Sequence, residues 1–373
     1  MRIVMLSAAS SIHTVRWANG LSAAGHDVHV ISQHPIADPF FPEVNVHLLP
    51  YRGTLGYFFM VPKVRALLDV IKPDIVNAHY ASGYGTTVRL VGYRPWVLSV
   101  WGSDVYDFPH KSRLHKWLVA KNLLAADKIA STSHCMAKET RALSVELIDK
   151  DIAITPFGVD LAAYQDLSPK SAQQPNKLVI GTVKTMQPKY GIDTLIEAYA
   201  ILVNSLKKNI NSPELELRLV GGGAQTAELM GLAQRLGVAH SVNFVGQVPH
   251  TSVPQELAKL DIYVALSRSE SFGVAIIEAG AAGRPVLVSD AGGLPEVTIN
   301  GVTGIVVPCD NPQAAALALE KMVLDAHLRH QMGIAGQQHV ANNYAWDVCV
   351  NDMIATYENT ISSSIMSQPC KKS

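Results

Sequence analysis

The residues best suited to chemistry lie in one short stretch, SESFGVAIIEAGAAGRPV at positions 269–286. Two glutamates, Glu270 and Glu278, stand on either side of a glycine and an apolar run. If a helix begins near Gly273, its first amides are unpaired and its dipole is positive there, so this turn can bind a phosphate. The two carboxylates can then hold separate hydroxyl groups of one extended ligand. The alternative is a helix of small residues with two solvated glutamates.

Two lysines in GTVKTMQPKYGIDTLIEA (181–198) supply positive charge for the same kind of ligand. Lys184 and Lys189 flank a loop that follows a predicted strand and opens a helix, with Asp193 as the expected N-cap. Two cations near a helix start suit a diphosphate, for which lysines suffice as point charges. Taken alone, a pair of exposed loop lysines is the simpler interpretation.

Further candidates follow three strands in the first half of the chain. His13 lies in SSIHTVRWA (10–18), His79 closes a strand, and Trp101 and Asp104 follow the next strand. The carboxyl ends of parallel strands share one edge of a sheet, where ligands bind. A lone histidine or tryptophan more often packs than functions, so packing and acceptor binding remain equal alternatives for this group.

Other patterns argue against a nicotinamide cofactor and against a metal. GGGAQT (221–226) follows a strand but lacks the third glycine of a dinucleotide fingerprint. Asp149-Lys150-Asp151 matches the DxD pattern of a motif that binds a metal and a diphosphate. However, it lies in a charged stretch just before a strand, where solvated loop residues are expected. No pattern of cysteines or carboxylates completes a metal site around the paired histidines. We therefore expect no cofactor and no metal.

The chain contains two series of strands that could position these candidates. Its 373 residues exceed the usual size of one core, so two domains are expected. Near-continuous apolar strands alternate with helical patterns, which indicates parallel sheets covered on both faces. We therefore predict an α/β protein of two doubly wound Rossmann-like domains facing a central cleft. Their predicted limits are 1–165 and 177–343, joined by a linker at 166–176 and followed by a C-terminal helix at 344–373 that packs back toward the first domain.

Composition limits the class of protein further. Lys+Arg and Asp+Glu both number 31, which argues against a dedicated nucleic-acid binder. The four cysteines are far apart and are interpreted as free thiols of a cytoplasmic protein. No apolar run approaches the ~20 residues of a membrane span, and the N-terminus is too short in apolar residues for a signal peptide.

Several motifs occur in a familiar order: PFGVD (156–160), GGGAQ (221–225), VGQV (245–248), the stretch at 269–286 and GGLPEV (292–297). Together they resemble the family 4 retaining glycosyltransferases of GT-B architecture. Residues 10–32 resemble a bacterial subgroup that builds surface polysaccharides and lipid-linked glycans. The resemblance spans nearly the whole chain, which is far more specific than any single motif. It implies a metal-independent hexosyltransferase (EC 2.4.1) of polysaccharide or lipopolysaccharide biosynthesis.

The resemblance also implies a role for each candidate in the second half. Glu270 would hold hydroxyls of the donor hexose and Glu278 those of the ribose. Lys184 and Lys189 would neutralise the leaving diphosphate, so Glu270, Lys184 and Lys189 are the expected catalytic residues. The other residues expected to bind the donor along its sugar, diphosphate and base are Phe272, Gly273, Val274, Val248, Gly246 and Gly222.

Two departures from the family pattern concern the acceptor side. The usual Gly-Gly of the first loop is Ile12-His13 here, which leaves the phosphate contact of that loop in doubt. The histidine often found before Gly-x-Asp is replaced by Trp101, so its role falls to His79 or is absent.

The expected partners are a UDP-sugar and a glycan or a saccharide linked to polyprenyl diphosphate. Segments 51–68 and 110–124 mix basic and large apolar residues, a composition typical of a surface that rests on anionic lipid. That interpretation predicts a peripheral protein on the inner face of the cell membrane. Two ordinary amphipathic helices are an equal alternative. For the activity, the alternatives are a GT-B nucleotide-sugar epimerase and a non-catalytic partner that binds a nucleotide sugar.

Overall fold

The computed structural model describes residues 1–173, 176–207 and 212–367, and the chain divides into two compact units. Unit 1 comprises Met1–Phe157 together with Trp346–Ser373, and unit 2 comprises Gly158–Ala345. Each unit contains one parallel β-sheet with helices packed on it. The prediction of two Rossmann-like α/β domains is confirmed.

Unit 1 has a seven-stranded sheet in the order β3-β2-β1-β4-β5-β6-β7. The chain runs outward from β1 in one direction and then crosses over to continue in the other, as in doubly wound folds. The central strands are buried throughout because helices cover both faces of the sheet. The strands are β1 (Arg2–Leu6), β2 (Asp27–Ser32), β3 (Asn45–Leu48), β4 (Ile75–His79), β5 (Trp96–Val100), β6 (Lys128–Ser131) and β7 (Ile152–Ile154). The helices up to β7 are α1 (Ile12–Ala23), α2 (Gly53–Phe59), α3 (Val61–Ile71), α4 (Gly83–Val91), α5 (Ser103–Tyr106), α6 (Arg113–Ala125) and α7 (His134–Ala142).

Unit 2 has a six-stranded sheet in the order β10-β9-β8-β11-β12-β13. Its first strand β8 is central, so the loop that follows it lies beside the loops of β9 and β11. The strands are β8 (Lys177–Val183), β9 (Glu214–Val220), β10 (Val242–Gly246), β11 (Ile262–Ala265), β12 (Val286–Ser289) and β13 (Gly304–Val307). The helices are α8 (Ile192–Leu206), α9 (Thr226–Arg235), α10 (Val253–Lys259), α11 (Val274–Ala281), α12 (Leu294–Val297), α13 (Pro312–Leu324) and α14 (Ala326–Asn343).

All the strands predicted from apolar runs are present, and the only strand missed in the described part of the chain is β3. This edge strand pairs with β2 alone and is only partly buried. A strand covered on one side needs no continuous apolar run, so its four residues carry no strong sequence signal.

The last helix, α15 (Trp346–Ser367), belongs to unit 1. Asn77 at the centre of β4 donates a hydrogen bond of 2.7 Å to the hydroxyl of Tyr357. The rings of Trp17 on α1 and Trp346 on α15 lie 5.1 Å apart. The chain therefore leaves unit 1 after Phe157 and returns to it at Trp346.

The division between the units differs from the predicted limit at residue 165. The amide of Val159 donates to the carbonyl of Tyr344 at 2.8 Å, and Val159 pairs with Ala345. Because these partners belong to unit 2, the segment after Phe157 is part of that unit.

The predicted linker at 166–176 is also packed against unit 2 as far as residue 170. The carbonyls of Leu167 and Ser168 accept hydrogen bonds from Gln337 (3.0 Å) and Arg284 (2.6 Å). Arg284 is buried, and burial lowers its pKa to about 10. The first part of the predicted linker is therefore packed against unit 2, and positions 174–175 lie outside the described residues.

In the ranges 1–173, 176–207 and 212–367, no helix combines the length and the apolar character that a bilayer span requires.

Candidate active site

The loops after β8, β9 and β11 meet at the carboxyl edge of the sheet in unit 2. The amide of Met186 donates to the carbonyl of Gly222 at 3.0 Å, so the loops after β8 and β9 are in contact. The amide of Arg268 donates to the carbonyl of Lys189 at 2.8 Å, so the loops after β8 and β11 are also in contact. The structure thus brings together the lysine loop (184–191) and the glutamate loop (266–273).

Lys184 and Glu270 form an ion pair of 2.6 Å between Nζ and Oε2. Their side chains are only 12% and 14% exposed. Burial alone would lower the pKa of Lys184, but the charge of Glu270 and its hydrogen bond raise the pKa above its usual value. The ion pair therefore favours the charged form of Lys184 at this edge of the sheet.

Tyr190 lies between the two predicted lysines. Lys184 Nζ is 4.6 Å and Lys189 Nζ 5.0 Å from the centre of its ring. Both distances are within the range of a cation–π contact, which attracts each ammonium to the ring face. Sequence reasoning missed this residue because a tyrosine beside a loop glycine has no distinguishing pattern.

Helix α11 begins beside the glutamate loop, as the opening stretch predicts. Gly273 is its N-cap with φ +116°, and Val274 is its first residue. Phe272 is buried and its ring lies 5.8 Å from that of Tyr344. Gly293 lies so close that a Cβ there would be 2.7 Å from Phe272 Cα. The amide of Gly293 also donates to the carbonyl of Glu270 at 2.9 Å, so the GGLPEV motif supports the glutamate loop.

Glu278 on α11 is a buried carboxylate, 7% exposed. His250 Nε2 lies 3.4 Å from its Oε1, within ion-pair distance, yet Oε1 makes no hydrogen bond in the described structure. His250 is half-exposed, so its approach leaves Oε1 of Glu278 without a hydrogen-bond donor in the described structure. A buried acceptor without a donor is unfavourable, and a ligand hydroxyl could supply one.

Tyr263 lies in β11 among the charged candidates. Burial raises the pKa of its hydroxyl, the charge of Lys184 opposes this shift and the charge of Glu278 adds to it. The charges of Lys184 and Glu278 therefore both act on Tyr263. Because Lys184 also pairs with Glu270, the three charged candidates lie near one another.

The glycines at the ends of β9 and β10 differ in how closely other atoms approach them. A Cβ on Gly222 would meet only Gln247, at 3.9 Å, and Gly246 has φ +86° with no atom within 4 Å of such a Cβ. Both glycines therefore leave room beside the backbone, and Val248 is half-buried. In contrast, a Cβ on Gly221 would lie 2.0 Å from the carbonyl oxygen of Lys184. The absence of a side chain at Gly221 thus allows the lysine loop to pack closely against the end of β9.

The prediction that Asp193 is the N-cap of α8 is wrong. The N-cap is Gly191 with φ +60°, and Asp193 lies in the first turn. Its two carboxylate oxygens accept bonds of 3.0 and 2.9 Å from Nη1 and Nη2 of Arg268. Sequence reasoning missed Arg268, because its partners are distant along the chain.

The candidates of unit 1 surround the end of β4. His79 is fully buried, neither of its ring nitrogens has a hydrogen-bond partner in the described structure, and its ring lies 4.3 Å from Trp101. Burial, with a smaller contribution from the charge of His13, lowers the pKa of His79 to about 3. His13 stacks on Phe157 at 4.1 Å. His79, Trp101, His13 and Phe157 therefore form one aromatic cluster with a neutral histidine inside it.

Asp104 has its hydrogen bonds within the protein. Its carboxylate accepts from the backbone amides of Ala81 (2.8 Å), Trp101 (3.1 Å) and Gly102 (2.9 Å). Burial raises its pKa, and these hydrogen bonds counteract the rise. Asp104 joins the loops after β4 and β5, so its geometry fits support of Trp101 better than contact with an acceptor.

In residues 1–173, 176–207 and 212–367, no group of three His, Cys, Asp or Glu side chains could hold a metal ion. In the Asp149-Lys150-Asp151 segment, Asp151 forms an ion pair with Lys128. Lys150 Nζ donates to the carbonyl of Ala126 at 3.2 Å. These contacts fit the interpretation of that segment as surface residues, while the expectation of metal-independent activity stays a prediction.

Comparisons with known proteins agree along the chain. The family described as "Glycosyl transferases group 1" matches residues 164–339, and "Glycosyl transferase 4-like" matches residues 2–133. A D-inositol 3-phosphate glycosyltransferase of Jonesia denitrificans is 26% identical, over 94% of this chain and 91% of the relative. A GDP-mannose-dependent alpha-(1-6)-phosphatidylinositol monomannoside mannosyltransferase of Mycobacterium tuberculosis is 29% identical, over 55% of this chain and 54% of the relative. The crystal structure of Anabaena HepE in complex with UDP has a TM-score of 0.77 at 19% identity and covers 96% of this chain and 100% of that one.

Proposed function

Because this chain belongs to the family 4 glycosyltransferases and has their GT-B fold, we propose that it transfers a hexose or N-acetylhexosamine from a UDP-sugar to a hydroxyl of a glycan. The observation that carries the donor half is the buried Oε1 of Glu278, which has no hydrogen-bond donor in the described structure. The ribose hydroxyls of a nucleotide supply such donors. The alternative partner, His250, is too exposed to compensate the carboxylate fully.

The diphosphate of the donor is bound by Lys184 and Lys189 together with the first amides of α11. Lys184 is charged, as the rise in its pKa requires, and Tyr190 holds both ammonium groups at the same edge of the sheet. Fixed charges that face a leaving group stabilise the negative charge that develops there, and this electrostatic contribution is usually the largest in catalysis.

Glu270 holds hydroxyls of the donor sugar. In the structure its Oε2 bonds Lys184, and its carbonyl accepts from Gly293, so the carboxylate has a defined position next to the cation. A bound sugar would share this carboxylate with Lys184. The remaining donor contacts are assigned to the backbone at Phe272, Gly273 and Val274.

Transfer proceeds with retention of configuration and without a metal ion. The bond from the anomeric carbon to the diphosphate oxygen breaks, and the acceptor oxygen forms its bond from the same face. The departing phosphate oxygen takes the proton of the acceptor hydroxyl. Lysines and helix amides carry the charge that a divalent ion would otherwise neutralise. An inverted product in an NMR spectrum would contradict retention of configuration. Loss of turnover in EDTA would contradict independence of a metal ion.

The acceptor is a saccharide carried by a lipid. Helices α2 and α6 both pack against α4 in unit 1 and carry exposed large apolar residues. Phe59 is 62% exposed and Trp117 52%. Exposed basic residues lie on α6 at Arg113 and Lys116, and on either side of α2 at Arg52 and Lys63. Apolar side chains with lysines and arginines are typical of a surface that rests on anionic lipid. The aromatic cluster of His13, His79 and Trp101 lies in the same unit and is assigned to the acceptor.

A ligand screen tests the donor. Ligands that bind only the folded state raise its melting temperature, so UDP, UDP-sugars, GDP and GDP-mannose are compared by thermal shift. We expect UDP and one UDP-sugar to raise the melting temperature of the wild type but not of Glu278→Ala. A response to GDP-mannose alone would overturn the choice of UDP, since the mannosyltransferase relative is named for that donor.

The same samples separate the alternatives for the activity. A transferase releases UDP slowly by hydrolysis when no acceptor is present. An epimerase returns a changed sugar still attached to the nucleotide, and a non-catalytic partner binds the donor and releases nothing.

A further inference from the structure

Arg268 contacts three loops at the carboxyl edge of the sheet in unit 2. Its Nη1 and Nη2 bond Asp193 in the first turn of α8, and its Nε lies 2.7 Å from Oδ1 of Asp310 in the loop after β13. Its Nη1 also donates to the carbonyl of Pro188 at 2.5 Å, inside the lysine loop. The residue itself belongs to the glutamate loop, so one guanidinium joins elements that follow β8, β11 and β13.

The backbone of the glutamate loop adds to this contact. The amides of Arg268 and Ser269 donate to the carbonyl of Lys189 at 2.8 and 3.4 Å. Two residues later, Gly191 approaches so closely that a Cβ there would lie 1.9 Å from the carbonyl oxygen of Leu266. The lysine loop is therefore held on the glutamate loop from Pro188 to Gly191.

The third loop is held in an unusual conformation. Asp310 has φ +52°, which is uncommon outside glycine. Its carboxylate accepts from Arg268, and Thr194 Oγ1 donates to the same oxygen at 3.4 Å. Ion pairs with two aspartates, Asp193 first, raise the pKa of Arg268, so the guanidinium stays charged.

From this geometry we propose that Arg268 is a positioning residue for the donor site, which rests on the proposed binding of the donor diphosphate by Lys189. Arg268 fixes the backbone on both sides of Lys189, and so it fixes where that ammonium and the ring of Tyr190 lie relative to Glu270. The N–H groups of Arg268 are bonded to residues of the protein, so Arg268 does not touch the substrate.

A second consequence is electrostatic. Asp193 and Asp310 lie at the same edge of the sheet as the lysines, where a diphosphate is expected. Without Arg268, two carboxylates would stand unneutralised there and would repel the diphosphate. The planar fork of arginine can bond Asp193 with two parallel hydrogen bonds and still reach Asp310, whereas lysine offers a single point of charge.

The test combines Arg268→Ala, Arg268→Lys and Lys189→Ala with the double variant Arg268→Ala/Lys189→Ala in the full-length protein. Lys177→Ala is the matched control, because it removes another ion pair of unit 2, between the half-exposed Lys177 at the start of β8 and Glu216 in β9. UDP affinity is measured by calorimetry, donor KM and kcat by UDP release, and the melting temperature by scanning fluorimetry.

We expect Arg268→Ala to weaken UDP binding about tenfold, with a fall in melting temperature no larger than that of Lys177→Ala. Arg268→Lys should recover only part of the affinity, since it restores the charge and not the fork. In the double variant the loss should be smaller than the sum of the two single losses, because the positioning by Arg268 acts through Lys189 and only the repulsion by Asp193 and Asp310 is independent of it.

Each contrary result has a separate meaning. Additive losses, or full UDP affinity in Arg268→Ala while Lys189→Ala is impaired, would overturn the positioning role and leave the proposed donor site intact. Full UDP affinity in Lys189→Ala would overturn the role of that lysine in donor binding, and the role of Arg268 with it.

Discussion

Lys184 and Glu270 form an ion pair at the ends of two adjacent strands, with 2.6 Å between Nζ and Oε2. Removing one partner leaves the other as a partly buried, unpaired charge, so Glu270→Leu should lower the free energy of unfolding by about 2–3 kcal/mol. The double variant Lys184→Met/Glu270→Leu should be more stable than Glu270→Leu. Urea unfolding measures both, and equal losses would contradict the pairing.

The same pair should also matter for turnover. Lys184→Met removes a fixed cation from the leaving diphosphate and should lower kcat about 100-fold. Lys259→Met is the control, since it removes a half-exposed cation that pairs with Glu256 in the same unit and should leave kcat unchanged. UDP release measures the two variants, and similar kcat values in both would argue against the assigned role.

Glu278→Gln should separate stability from binding. The carboxylate is buried, and its Oε1 has no hydrogen bond in the described structure, so neutralising it should keep or raise the melting temperature. Loss of the charged acceptor should weaken UDP binding about tenfold or more. This combination is expected where a buried group is kept for function at the expense of stability.

Glu256→Gln is the control for that experiment. Glu256 is equally buried, but its carboxylate bonds Arg218 at 2.8 Å and Lys259 at 2.6 Å. Its neutralisation should lower the free energy of unfolding by about 3 kcal/mol and leave UDP binding unchanged. If the two variants lose stability alike, Glu278 is a structural residue.

Gly191→Ala should damage the lysine loop. The position has φ +60°, and the added Cβ would lie 1.9 Å from the carbonyl oxygen of Leu266. The loop must therefore move away from the glutamate loop, which should weaken UDP binding. Gly237→Ala is matched in backbone, with φ +73° and no atom within 4 Å of the added Cβ. It should cost only the left-handed strain of about 1–2 kcal/mol and bind UDP normally.

The stability of unit 1 should fall in acid partly because of His79. Its pKa is about 3 in the folded protein and 6.5 as a free group, so the unfolded chain binds more protons between these values. This contribution is present above pH 6.5 and is lost as the pH falls, by about 1.4 kcal/mol per unit. In the variant His79→Leu the melting temperature should fall less as the pH is lowered. The control His240→Leu replaces an exposed histidine and should not change this pH dependence.

His79 also provides a test of the acceptor side. If its ring nitrogens serve the acceptor, His79→Leu should slow transfer to an acceptor while UDP release by hydrolysis continues. Equal slowing of both reactions would place the effect on the donor or on the fold.

Unit 1 should bind anionic vesicles through α2 and α6. Replacing Phe59 and Trp117 by serine should reduce sedimentation with vesicles that contain phosphatidylglycerol, because the exposed apolar area is lost. Neutralising Lys111, Arg113 and Lys116 should do the same and remove the dependence on salt. Leu317→Ser in unit 2 removes a similarly exposed apolar side chain and is the control. Binding that persists in all variants would contradict the membrane surface.

The strands could be predicted because each is an apolar run of suitable length between helical patterns. The helix start at Gly273 followed from a glycine between a strand and an Ala/Gly-rich helix. The edge strand β3 was missed because its side chains are only partly buried. The end of unit 1 at Phe157 was missed because it depends on the contact of Val159 with Tyr344, which are far apart in the sequence.

The sequence by itself determined the alternation of strands and helices, the family and the residue types at the donor site, because periodicity and motif spacing are local properties of the chain. Only the tertiary structure decided that Lys184 pairs with Glu270, that Tyr190 lies between the lysines, that Asp193 bonds Arg268 and that Asp104 is fully occupied by backbone amides. These relationships join loops from different strands, and parallel strands bring such loops together only when the sheet has formed.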